Sequence, residues 1–375
     1  MAYIRPDYDT ARQEAGFRWG VSGCYNSALA LSGVPVKDFY TRPEACIEVY
    51  RSGRARMYEM FGDWLPRLAP ATPPISYMHV NCLGAELLFV DGGEVGHTHP
   101  CASLEAAIRR LREPVDFATA GQTPFYLDFW EQMKAAFPDE EVSFGFGAEG
   151  PITTGYELRG EGFFTDLFDE PELVKEFLRL VTDSVVAAYR FRAEVNGSEF
   201  PSRQGSGMVD DIASFVPARM FGEYALPYWE QYYSGMTTGK RTAHVEDLRR
   251  EQLRFLEDIG LSYFDPSISH KLNPPLLRDE IRVPFGWRLG SFHYRDLDEA
   301  LVRDFVFQAA ADGASQVFTI IEGTLSTEEG HRKVMAFKAA GEEVEKLLAG
   351  GCSRAELATY VSQRGKARFW ARFPE

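Results

Sequence analysis

Short apolar runs and longer runs with helical spacing take turns along most of this chain. ELLFV at 86–90, VSFGFG from Val142, GMV from Gly207, RTAHVED at 241–247, LSYFDP at 261–266, RVPFGWRLG at 282–290 and ASQVFTIIEG at 314–323 have the length and residue types of strands. Between them, apolar residues recur every three or four positions. SLEAAIRRLREP opens on a serine cap at Ser103, and PELVKEFLRLVTDSVVAAYRF opens at Pro171 with Asp169 as its expected cap. PARMFGEYALPYWEQYYSGM, LRREQLRFLEDIG, DLDEALVRDFVFQAAADG and STEEGHRKVMAFKAAGEEVEKLLAGG complete the helical set.

Strands that alternate with helices of this length predict βαβ units around a parallel sheet. At least six such units in one run predict an α/β fold of the closed (β/α)8, or TIM, barrel type. The opening stretch differs. RPEACIEVYRSGRARMYEMFGDWL reads as an amphipathic helix from Pro43, and APATPP at 69–74 makes a stiff break. The predicted organisation is a helical extension over 1–75, packed on a catalytic barrel over 76–375.

Barrel enzymes carry their chemistry at the carboxyl ends of the strands. Here those ends read Glu149, Asp210, Asp211, His244 with Glu246, Asp265 and Glu322. Any one of these acids could simply cap the helix that follows, but their recurrence at successive strand ends points to a site. Residues i and i+2 of a strand face one side, so His244 and Glu246 can converge on one point. The bland reading of an H-x-E is a surface ion pair. Glu149 and Asp211 are candidates for catalytic or supporting contacts, and His293 with Tyr294, after the strand that ends at Gly290, for a substrate-pocket wall. HTHPC (His97, His99, Cys101) has metal-like spacing, but it reads as the approach to the Ser103 helix. The rings of PYWEQYY, on a helix, read first as core.

Composition narrows the function classes. The chain has 375 residues, 45% hydrophobic and 25% charged, which is enough apolar material for a large core. Forty basic against 55 acidic residues leave a formal charge of −15. That argues against nucleic acid and against an anionic membrane surface as partners. Five cysteines without a CxxC spacing fit free thiols in a reducing compartment. No leader-like segment and no apolar run of ~20 residues is present, so the expectation is a cytoplasmic protein. A homodimer is compatible with all of this.

Three segments together resemble the uroporphyrinogen decarboxylase-like superfamily. They are NCLGAELLFVDGGEVGHTHPCASLEAAIRRL, EGPITTGYELRGEGFFTDLFDEPELVKEFLRLVTD and DDIASFVPARMFGEYALPYW. The resemblance implies a (β/α)8 barrel with extra N-terminal helices. One branch of that superfamily consists of zinc methyltransferases that work with a corrinoid, using a His-x-Cys pair and a second, late Cys. The corresponding positions here read His244-Val245-Glu246 and Glu322, so the implied metal set is one imidazole and two carboxylates. Three protein ligands with a fourth position open are usual for catalytic zinc, and carboxylate is a normal ligand. Oxygen ligands leave zinc more electrophilic than thiolates do, which suits an ether oxygen better than a thiol.

The expected activity is therefore methyl transfer from a small O-methyl donor, such as a methoxylated aromatic, to a Co(I) corrinoid. No D-x-H-x-x-G cobalamin signature is present, so the cobalamin is expected on a partner corrinoid protein. The alternatives are a metal-independent decarboxylase, a methylcobalamin:thiol methyltransferase, and a non-enzymatic corrinoid binder. The arginine-rich early motif of the decarboxylases has no counterpart in the sequence.

Overall fold

The computed structural model describes residues 3–369. Eight strands are present among them: β1 Arg18–Gly23, β2 Leu87–Leu88, β3 Gly96–His97, β4 Gly205–Val209, β5 Lys240–His244, β6 Tyr263–Asp265, β7 Gly286–Leu289 and β8 Gln316–Ile321. The chain divides into two compact units. One holds residues 3–4, Pro35–Ile47 and Ala69–His244; the other holds Arg5–Val34, Glu48–Leu68 and residues 245–369.

In the first unit, β4 and β5 pair in parallel, with Val209 opposite His244. The ladder continues one residue further as the Asp210 N–H donates to the His244 carbonyl at 3.2 Å. Strand alternation buries Arg241 and Ala243, and also Val245, the residue after β5. Thr242 and His244 face the other way and are half-buried. The long helix Pro171–Val195 buries Val174, Phe177, Leu178, Val181 and Val185, the stripe that its 3.6-residue period dictates. No side chain caps its start: Glu170, rather than the expected Asp169, occupies the cap position without a capping bond. Ser103 does cap the helix Leu104–Arg112, accepting from the Ala106 N–H at 3.3 Å. The helix Leu226–Met236 puts Trp229, Tyr232 and Tyr233 into the core, as the reading of PYWEQYY anticipates.

Two expected strands of this unit are reduced. ELLFV contributes only β2, which forms a two-residue antiparallel hairpin with β3. The stretch from Val142 forms no ladder and is held by scattered backbone bonds, Ser143 N–H to the Pro70 carbonyl and Gly147 N–H to the Ile75 carbonyl. A Cβ at Gly147 would lie 2.3 Å from that Ile75 carbonyl, so only glycine allows the approach.

In the second unit, β7, β8 and β1 form a parallel sheet in the order β1-β8-β7. A parallel bridge between Phe264 and Phe285 adds the β6 segment beside β7. Helices Glu299–Ala311 and Glu328–Ala349 bury Phe305, Phe307, Val334 and Phe337 in this unit. Asp298 and Thr327 cap them with side-chain bonds to Leu301 N and Gly330 N. The stretch expected as one helix from Leu248 is instead a 3-10 turn, Arg250–Gln252, and a single turn, Phe255–Asp258. Residues 1–75 are not helical throughout, because β1 pairs along its whole length with β8. The expected helix from Pro43 is present, but it passes through a π turn at Val49–Gly53. No described helix is long and apolar enough to cross a membrane.

Candidate functional site

The carboxyl ends of β4 and β5 bring acids and an imidazole together. Asp211 follows β4, His244 ends β5, and Nε2 of the imidazole lies 3.9 Å from Asp211 Oδ1. Asp210, one residue earlier, is turned the other way and fully buried. Its carboxylate accepts from Trp229 Nε1 at 2.6 Å, Thr153 N at 2.7 Å and Ile152 N at 3.3 Å. The helix Pro151–Arg159 is thereby pinned by its first backbone N–H groups to the end of β4. Burial outweighs these three donors and pushes the Asp210 carboxyl up to about 6. Gly150 makes the junction feasible: a Cβ there would lie 2.5 Å from Asp210 Cβ and 2.9 Å from the Val209 carbonyl.

Glu149 precedes that glycine and is half-buried. Desolvation raises its carboxyl to about 7, with Asp211 and Asp210 adding like-charge repulsion. Ser76 and His244 act in the opposite direction. A carboxyl poised near neutrality can hold or release a proton.

Glu157, on the helix Pro151–Arg159, is the residue that sequence reasoning missed. It is buried, its Oε1 meets no hydrogen-bond partner, and desolvation raises its carboxyl well above the usual range. A signal existed: Glu157 lies three residues after Thr154 on the buried face of its helix, where a charge has no structural reason to be. The neighbourhood continues through rings, with Tyr77 and His97 at 4.3 Å and His97 and His99 at 5.1 Å. His99 Nδ1 lies 2.8 Å from the Glu157 carbonyl and His97 Nδ1 lies 3.0 Å from that of Thr98. These imidazoles serve local packing and backbone bonds rather than a cluster with Cys101, whose thiol is buried.

In the second unit, Glu246 accepts from Ser267 Oγ at 2.5 Å, and Asp265 Oδ1 accepts from Ser267 N at 2.8 Å. Ser267 and Asp247 both adopt the left-handed backbone region, φ 54° and 55°, which side chains other than glycine rarely occupy. Such residues recur where a loop is held in one conformation for a purpose. Glu322, expected as the third metal ligand, accepts instead from Arg288 Nη2 at 2.8 Å and Ser291 Oγ at 3.0 Å. His293 lines a cavity of about 250 Å³. Tyr294, expected beside it on the pocket wall, is turned into the core at 2% exposure, and its carbonyl accepts from Lys333 Nζ at 2.7 Å.

Parallel strands interleaved with helices, with ionisable groups collected where strands end, define an α/β protein. The family model "Uroporphyrinogen decarboxylase (URO-D)" matches residues 29–272. The chain belongs to the uroporphyrinogen decarboxylase family. Among solved structures, a methyltransferase from Methanosarcina mazei is similar, with a TM-score of 0.64 and 17% identity over 90% of this chain and 97% of that one. At that identity the likeness establishes a shared fold. No curated protein matches the sequence.

Proposed function

We infer that this protein is a metal-dependent methyltransferase built on a closed (β/α)8 barrel, taking a methyl group from an O-methyl compound. The acceptor in this reading is the Co(I) corrinoid of a partner protein. The observation that carries it is the approach of Asp211 and His244 at the ends of neighbouring strands. Bonds of about 2.0–2.2 Å from zinc to imidazole nitrogen and carboxylate oxygen place two tetrahedral ligands about 3.4 Å apart. The 3.9 Å between Nε2 and Oδ1 is a small side-chain rotation from that spacing. Glu246 follows His244 by two residues on the same strand exit, and one imidazole with two carboxylates is a set able to hold a metal ion. Asp211 thus takes the ligand role that the sequence assigned to Glu322, whose carboxylate is engaged by Arg288.

Zinc at this set would supply a Lewis acid that polarises the donor's ether oxygen. The chain's own residues do the rest. Glu149 keeps a proton near neutral pH and sits within electrostatic reach of Asp211 and His244. As the methyl carbon–oxygen bond breaks and the methyl group bonds to the acceptor nucleophile, the oxygen leaves with the Glu149 proton, so an alcohol or phenol departs rather than its anion. Asp210 positions Glu149 by fixing the helix that starts at Pro151.

The test combines metal content with methyl transfer from a panel of methoxylated phenols to cob(I)alamin. Near-stoichiometric zinc is expected, lost together with activity in His244→Ala and Asp211→Ala. Full transfer by metal-free protein refutes the reading. Decarboxylation of a carboxylated ring is the second reading, favoured by the name of the family model. Asp211 speaks against it, since a carboxylate at the strand ends disfavours an anionic substrate. Release of carbon dioxide without any metal requirement would establish it.

A further inference from the structure

Strands β4 and β5, both of the first unit, present an open face behind the proposed metal ligands. Their covered side holds Met208, Asp210, Arg241 and Ala243, all buried. The opposite side carries Gly207 and Val209 from β4 and Thr242 and His244 from β5, with Gly207 opposite Thr242 and Val209 opposite His244. Val209 is 40% exposed although it neighbours His244 in the ladder. Gly207, two residues further from the carboxyl end of β4, is exposed as well. Glycine weakens a strand interior, and the backbone does not require one here, because Gly207 lies outside the left-handed region. Packing does not require it either: among the described residues, a Cβ at Gly207 would meet only Thr242 Oγ1, at 3.3 Å. A strand glycine with neither need marks a place where another molecule comes close. Thr242 adds an independent sign. Its carbonyl accepts from Tyr233 Oη at 2.6 Å, but among the described residues its Oγ1 has no hydrogen-bond partner.

We propose that this face holds the body of the methyl donor, and that it selects a ring bearing a hydroxyl para to the methoxy group. The orientation rests on the methyl-transfer reading, whereas binding itself needs no turnover. Displacement at carbon requires the acceptor, the methyl carbon and the leaving oxygen in line. A corrinoid carried on a partner protein approaches from the carboxyl ends of the strands, where the proposed metal ligands stand. The methyl group therefore faces outward, and the rest of the donor lies back along β4 and β5. There Gly207 leaves room for a ring, and the exposed Val209 side chain gives it an apolar flank. Thr242 and His244 are two residues apart, about 6.6–6.8 Å along a strand, which is the order of the span between para oxygens on one ring. With the ether oxygen at the metal ligands, the phenol hydroxyl meets Thr242 Oγ1, which can donate to it or accept from it.

Calorimetric titration of the full chain, supplied with zinc, with 4-methoxyphenol and with anisole tests it, alongside methyl transfer from each to cob(I)alamin. Saturable binding of 4-methoxyphenol is expected, with anisole about tenfold weaker for want of one hydrogen bond. Thr242→Val, close in shape, should bring the ratio between the two ligands near one, a change that general damage to the fold would not produce. Gly207→Val should abolish binding of both rings while zinc content and melting temperature hold; if that variant does not fold, Thr242→Val decides alone. Absence of saturable binding, unchanged binding in Gly207→Val, or an unchanged ratio in Thr242→Val would each overturn the proposal. Binding with these dependences but no methyl transfer would overturn the methyl-transfer reading instead and leave the subsite established.

Discussion

Replacing Trp229 by phenylalanine removes the indole N–H that Asp210 accepts at 2.6 Å while keeping a ring in the core. Asp210 is raised to about 6 in the folded protein, against about 3.9 in an unfolded chain. Stability from this group is therefore fully present below about pH 4 and is lost as pH climbs to about 6, a fall of roughly 3 kcal/mol. A bond to the carboxylate is worth about 1.5–3 kcal/mol and one to the neutral acid about 1 kcal/mol, so the indole favours the anion by about 1–2 kcal/mol. Its removal should raise Asp210 by about one further unit, toward about 7. At pH 5 the variant should lose packing, about 1–2 kcal/mol, together with the bond to the neutral acid, about 1 kcal/mol. At pH 8 the deficit should grow by the additional 1–2 kcal/mol, on the order of the charge-assisted increment. Urea denaturation of both proteins at pH 5 and pH 8 measures this directly, and every other titrating group cancels in the difference. A deficit that is the same at both pH values would show that the indole does not stabilise the Asp210 anion.

Three further outcomes follow from the same geometry. Gly150→Ala drives a methyl group to 2.5 Å from Asp210, and thermal melting should show a loss of about 1–3 kcal/mol or more. Because Glu149 must carry a proton and sits at about 7, methyl transfer should decline as pH rises through 7. Glu149→Gln should lower the rate about 10²-fold and flatten that limb of the pH–rate profile. Glu157 keeps its proton when folded and loses it when unfolded, so its stabilising contribution fades as pH rises. Glu157→Gln removes that dependence, and denaturation at pH 5 and pH 8 should show the variant gaining on wild type at the higher value.

Much of the scaffold was readable because burial and period coincide. The helix Pro171–Val195 has an unbroken apolar stripe, and β8 alternates buried and half-buried residues, so each declares itself. β1 does not: RWGVSG carries two glycines and buries only Val21, and a partner distant in sequence, not its own composition, makes it a strand. The Val142 stretch errs the other way, rich in phenylalanine but unable to build a ladder where it is held at scattered points by 70–75. At the site, His244 and Asp211 were legible through the logic of strand ends, and their approach followed from parallel neighbours in register. The partner of Glu322 was not, since nothing local in GWRLG says that Arg288 will face an acid at the end of the next strand. Tyr294 was misread because the 3-10 turn Ser291–Asp296 rotates successive side chains by about 120°, separating it from His293.

The pairing of β1 with β8 also sets an order of events at the ribosome. Arg18 emerges almost at once, yet its partner Gln316 is still unmade. At 5–20 residues per second the wait is roughly 15–60 s, during which Trp19 and Val21 have no sheet to join. Nascent chains of this protein should therefore stay protease-sensitive at their amino end until translation is nearly over, and chaperones that shield early segments have a long interval in which to act.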